Sequence, residues 1–198
     1  MNAGVLSLSF DESALSPSLN VQGLTLQNAQ NTPTAVYTLT GGTVSISATK
    51  LHLQLSTADF NTLKSMRTLV RGQATTSLSL TDGSLDPLST YANPLNTVKT
   101  ITDHSGNAII AVAKTSAMLA AVFTPDTTSP QLTTFDLNMD GSVLLTFDET
   151  ISASTFTPNT VTLYSSLAGG QSYAVSVGDV SQLSTADTTT LSFSLSAA

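Results

Sequence analysis

The chain has 198 residues, 40% of them hydrophobic, enough for one large or two small domains with a real core. Only 10% are charged, 6 basic against 13 acidic for a net charge of -7, which excludes an electrostatic footprint on a nucleic-acid duplex. Cysteine is absent, so disulfides, thiolate zinc sites and a cysteine nucleophile are excluded too.

Apolar and polar residues alternate with a period of two, the mark of half-buried strands. In chain order this predicts strands over residues 4–10, 23–27, 35–40, 43–47, 50–55, 76–81, 96–102, 107–113, 132–137, 142–148, 160–164, 172–177 and 190–195. They are short and separated by turn residues, Gly41-Gly42 and Asp82-Gly83 among them, as in an all-β sandwich. One helix is predicted to begin at Ser56-Thr57-Ala58-Asp59-Phe60. There a hydroxyl caps the free amides of the first turn, Asp59 favours the helix N-terminus, and Phe60 with Leu63 makes an apolar face. A second short helix is expected around residues 116–121. No apolar run approaches the roughly 20 residues that span a bilayer.

The chain contains an internal repeat. Gly4–Ser13 (GVLSLSFDES) matches Gly141–Thr150 (GSVLLTFDET) without a gap, and the same spacing of 137 carries Leu24–Gln27 onto Val161–Tyr164. Thr49–Ala58 (TKLHLQLSTA) matches Thr189–Ala198 at a spacing of 140. Leu6, Leu8 and Phe10 thereby map onto Val143, Leu145 and Phe147, and Leu51, Leu53 and Leu55 map onto Leu191, Phe193 and Leu195. Between these inward rows stand mostly serines and threonines, which number 61 in the whole chain and are read as a polar outer face. Preserved core rows point to duplication of a structural unit about 140 residues long. The expected organisation is a repeat over 1–125 that lacks its first strand, followed by the N-terminal half of the next repeat over 126–198. Met1 falls against Met139, so the chain is expected to be a segment of a longer tandem array, with any export signal outside it. The strand absent before Met1 is expected to be supplied by residues near 132–137, or by their equivalents in an adjoining chain.

Chemistry-bearing residues are few. His52 stands between Leu51 and Leu53 and so points outward, and His104 lies in a turn; both read as solvated surface residues. Asp11-Glu12 and Asp148-Glu149 recur at equivalent positions and hold the only glutamates. Neighbours at a strand end point to opposite faces and cannot form the facing carboxyl pair of a glycosidase, so strand-terminating turns are their plain reading. The sharper reading is calcium, a hard cation that wants several oxygen ligands. Asp11, Glu12, Asp148 and Glu149, together with Asp126 of the linker or Asp103 of a turn, are the candidate ligands, without EF-hand spacing. No Gly-x-Ser-x-Gly elbow, phosphate loop or dinucleotide fingerprint occurs, so neither an enzyme active site nor an organic cofactor is expected. Tyr37, Tyr91, Tyr164 and Tyr173 read as packing residues. Asn-x-Ser/Thr acceptors are absent, which leaves O-linkage to serine and threonine as the route for any glycan.

Three patterns together resemble the bacterial-type immunoglobulin-like repeats of S-layer proteins and large surface adhesins. They are the linker Asp126-Thr127-Thr128-Ser129-Pro130, strands ending in Phe-Asp-Glu before a Ser/Thr-rich segment (Leu8–Leu26 and Leu145–Leu163), and the turn Asp103-His104-Ser105-Gly106-Asn107. The unit is longer than the usual ~100 residues of such domains, with the excess between about residues 57 and 98, as a helical insertion or an added hairpin. Long repeats of extracellular fibre and flagellar-hair proteins of algae and other protists look similar. The resemblance implies Ig-like β-sandwich repeats with one or two short helices, located outside the cell or on its surface. It implies a stalk or filament subunit whose partners are other copies of itself. The alternative it leaves open is an adhesin module in which the 57–98 region binds a glycan or a protein receptor.

Overall fold

The computed structural model of the chain describes residues 4–14, 19–81, 100–166, 168 and 170–196. They form four antiparallel sheets and one α-helix, an almost wholly β architecture divided between two compact units, Met1–Thr128 and Ser129–Ala198.

The first unit contains β1 (Val5–Ser9), β2 (Leu24–Gln27), β3 (Val36–Thr38), β4 (Gly42–Ser47), β5 (Lys50–Leu55), helix α1 (Thr57–Ser65), β6 (Ser77–Leu80) and β7 (Met118–Leu119). Its sheets run β1-β5-β4 and β3-β2-β6-β7. The inward leucines of β5 (Leu51, Leu53, Leu55) share one core with Leu24 and Leu26 of β2, Leu78 and Leu80 of β6, and Leu63 of α1. Each such leucine taken out of water contributes about 1.5–3 kcal/mol, which is what holds the two sheets together.

The second unit contains β8 (Leu132–Leu137), β9 (Ser142–Phe147), β10 (Thr162–Tyr164), β11 (Ser172–Ala174), β12 (Val180–Ser181) and β13 (Thr190–Leu195). One sheet runs β12-β13-β9-β8, and β10 pairs with β11. Val143, Leu145, Leu191, Phe193 and Ala153 are its buried residues, and the Phe156 ring packs on Phe193 with centroids 5.4 Å apart. The β8 residues are all exposed.

Four expectations need correction. Residues 107–113 form no strand; they make isolated bridges, Thr102↔Ala108 and Leu80↔Val112, because their main-chain bonds are divided between residues 101–103 and Leu80 and build no continuous ladder. The helix expected around 116–121 is a 3-10 turn at Lys114–Ser116 followed by β7. Here alanine-rich helix propensity loses to tertiary bonding: the Ala117 amide donates to the Gln30 carbonyl at 2.8 Å, and Met118 pairs with Leu78. The third concerns the hydroxyl face. It is solvated in the first sheet, where Ser7, Thr43, Ser45 and Ser47 are exposed, but Thr25, Ser77 and Ser79 of the second sheet are buried. The Thr25 hydroxyl lies 2.8 Å from that of Thr38, the Ser79 hydroxyl donates to the Thr25 carbonyl at 3.4 Å, and the Gln27 side-chain amide donates to the Ala29 and Lys114 carbonyls at 2.6 and 2.8 Å. Of the strand expected over 96–102, residues 96–99 lie outside the described residues, as does the Asp82-Gly83 turn, and residues 100–102 form no strand but only the Thr102↔Ala108 bridge.

Helix α1 begins as its sequence requires, with the Ser56 hydroxyl accepting from the Asp59 amide at 3.1 Å. Asp59 does more than favour the helix start. Fully buried, its carboxylate accepts from the Tyr37 hydroxyl (2.8 Å), the Thr40 hydroxyl (2.7 Å), the Thr40 amide (2.9 Å) and the Gly41 amide (3.0 Å). It thus ties the helix to the β3–β4 connection. Burial pushes the carboxyl upward, but the bonds from Thr40, Tyr37 and Gly41 outweigh it and hold its pKa below the ordinary 3.8. Such a group stabilises the fold fully above the unfolded-state value and ceases to do so as pH falls through the folded-state value. Asp59→Asn puts an NH2 among these donors. It should lower the free energy of urea unfolding at neutral pH by about 3 kcal/mol, with the difference from wild type shrinking in acid. An equal difference at neutral and strongly acid pH would contradict this.

Candidate functional site at an open sheet edge

The repeat is most informative where its copies differ. In the first unit the Leu55 amide donates to the Gly4 carbonyl at 2.9 Å and the Phe10 amide to the Thr49 carbonyl at 2.8 Å. Residues 4, 6, 8 and 10 therefore turn their main-chain groups toward β5, with Leu6 opposite Leu53 and Leu8 opposite Leu51. By the alternation of an antiparallel ladder, Val5, Ser7 and Ser9 turn theirs to the other edge. No described strand lies along that edge.

The second unit repeats the geometry bond for bond. The Leu195 amide donates to the Gly141 carbonyl at 2.8 Å and the Phe147 amide to the Thr189 carbonyl at 2.8 Å. Val143 stands opposite Phe193, and Leu145 opposite Leu191. Gly4 and Gly141 open the two strands in the same left-handed conformation, at φ +57° and +87°; a Cβ at Gly141 would meet the Leu195 carbonyl oxygen at 2.7 Å. Here, however, the outer edge is filled. Strand β8 lies on it, with Leu137 opposite Val143, Asp136 opposite Leu144, Phe135 opposite Leu145, Thr134 opposite Thr146, and Leu132 opposite Phe147 after a bulge. Leu132–Leu137 thus pairs within its own unit, and the corresponding place beside β1 is taken by no described residue.

An unpaired edge is a template for another strand, and proteins usually blunt it with charge, proline or a bulge. Val5-Leu6-Ser7-Leu8-Ser9 carries none of these. On its core side Leu6, Leu8 and Phe10 are only partly buried. The edge combines main-chain groups that no described strand pairs with and a row of partly exposed apolar side chains.

The candidate calcium ligands stand on separate elements, with Asp103 bridged to Ala14, two residues beyond Glu12. Asp11 and Glu12 are exposed at the end of β1. Asp103 closes its own turn, accepting from the Ser105 and Asn107 amides at 2.8 Å each and from the Asn107 side chain at 2.7 Å; these bonds hold its carboxyl below the ordinary value. Asp126 pairs with the Lys64 ammonium at 2.7 Å. Burial pushes Asp126 upward, but Lys64 and Thr128 outweigh it and bring the pKa down to about 2. Asp148 accepts from the Gln131 amide at 2.8 Å, and Glu149 follows it at the strand end. Among the described residues no three histidines or acids form a group able to hold a metal ion.

The other singled-out side chains are placed as follows. His52 is exposed, with Nδ1 2.8 Å from the Ser7 hydroxyl, and His104 is exposed in its turn. Tyr37 serves Asp59, Tyr164 and Tyr173 are exposed on the β10–β11 hairpin, and Tyr91 lies outside the described residues. A cavity of about 160 Å³ in the first unit is lined by Phe60, Leu63, Val70 and Phe123, with the Lys64–Asp126 pair in its wall. That ammonium also sits 4.6 Å from the Phe60 ring centroid, so its charge is already compensated twice. Sequence reading missed the Asp59 cluster, whose partners Tyr37 and Thr40 are distant in sequence and carry no motif.

No protein-family model, curated protein or solved structure matches the chain. Because Asp103, Asp126 and Asp148 already have hydrogen-bond or ion-pair partners, adding calcium should leave the melting temperature unchanged; a rise that saturates with calcium would contradict this and favour the calcium reading.

Proposed function

We propose that the chain is a structural repeat of an extracellular or cell-surface filament or tandem-repeat protein, built of Ig-like units whose copies assemble by strand pairing. The observation that carries this reading is the duplicated edge, paired at β9 and open at β1. A monomeric binding protein gains nothing from leaving a hydrophobic, uncharged edge unprotected, whereas an assembling subunit requires one. The solvated serines and threonines of β1 and β4 suit this role, offering hydroxyls to neighbouring subunits or to O-glycans without a dense charge that copies would have to overcome. Nothing in the reading depends on a membrane anchor, and no helix among the described residues is long and apolar enough to cross a membrane.

Negative-stain electron microscopy of the purified full chain at rising concentration tests the proposal. Elongated assemblies with an axial repeat of one or two units are expected. Particles that stay monomeric throughout, and that bind an immobilised glycan or protein receptor, would replace the structural role with the adhesin role.

A further inference from the structure

We infer that the open edge of β1 is an acceptor site for one particular strand, Leu132–Leu137 of a second copy, laid antiparallel to β1. This rests on the structural role proposed above and names the contact that would produce it. The register follows from the repeat. Shifting the β8–β9 pairs by the repeat spacing of 137 puts Leu137 opposite Leu6, Asp136 opposite Ser7, Phe135 opposite Leu8, Thr134 opposite Ser9 and Leu132 opposite Phe10.

Three observations favour this occupant. The same strand already fits the equivalent edge of β9, with the same pattern of inward and outward residues. It is also weakly held where it is, since Leu132, Phe135 and Leu137 are 52%, 57% and 46% exposed although they continue the core face of β9. Finally, transfer to β1 exchanges main-chain bonds one for one, while the three apolar side chains move beside Leu6, Leu8 and Phe10 of the larger core. Opening the 138–141 turn releases the strand, as in other exchanges of an element between identical chains. The contact joins two different surfaces, so it propagates head to tail into an open fibre unless the rotation closes a ring.

Antiparallel transfer is distinguishable from simple docking of the β8 outer edge onto β1. Main-chain groups of Phe135 and Leu137 point away from β9, and pairing through them keeps both apolar rows on one face only if the strands run parallel. The native chain has no cysteine, so engineered thiols report without background. Mixing full-length S7C with D136C, and separately S9C with T134C, under mild oxidation should give intermolecular disulfide dimers in both cases. V5C with T134C should give none, and D136C/L144C, whose own disulfide locks β8 to β9, should prevent elongated assembly. Linkage through V5C, or no linkage in any pair, overturns the inference. Fibres without these links leave the structural role standing and assign it to another edge; links without fibres keep this edge and remove the fibre.

Discussion

A main-chain amide or carbonyl in a sheet needs a partner, and β5 gives β1 a partner on one side only. Much of the molecule follows from that asymmetry. β5 is central in its sheet, its leucines lie at the middle of the first core, and β1 brings Leu6, Leu8 and Phe10 to the rim of that core. The edge is not a casual feature of a short strand. Its counterpart in the second unit preserves the hydrogen bonds, the cross-strand apolar pairs and the left-handed glycine, and adds a strand for which the first unit has no equivalent among the described residues.

The two units also differ around β2 and its counterpart. Beside β2 in the first unit stands β6, and β2 is buried along its length. Its counterpart β10 pairs, among the described strands, with β11 alone, and Tyr164 and Tyr173 are largely exposed. Asp59 belongs to the first unit, where a fully bonded buried carboxylate joins the helix to the β3–β4 connection alongside the apolar contact of Leu63.

Where the sequence was legible, the reason was periodicity. The alternation at Leu6, Leu8 and Phe10, and again at Leu51, Leu53 and Leu55, placed both strands and their inward faces correctly, because a row of apolar side chains has only one face on which to be buried. The capped start of α1 was legible for a comparable local reason, since Ser56 and Asp59 act within one turn. Alternation cannot say whether a polar row meets water or another segment, which is why Ser77 and Ser79 read as an outer face yet are buried. Nor can local sequence give the Asp59 cluster, or the 2.7 Å approach of Lys64 to Asp126, both of which join residues far apart in the chain. The open edge was legible only through the repeat: β1 alone reads as an ordinary strand, and comparison with the 142–147 copy shows what should lie beside it.

Amide hydrogen exchange resolved to single residues tests the asymmetry of the duplicated edge most directly, first in dilute chain and then under assembling conditions. In dilute chain the Val5, Ser7 and Ser9 amides should exchange freely while those of Leu144 and Thr146, which face β8, are protected; on assembly the first set should gain protection and the second should lose it. Equal protection of the two sets in dilute chain, or no change at Val5, Ser7 and Ser9 on assembly, would contradict an open edge filled by a neighbouring copy.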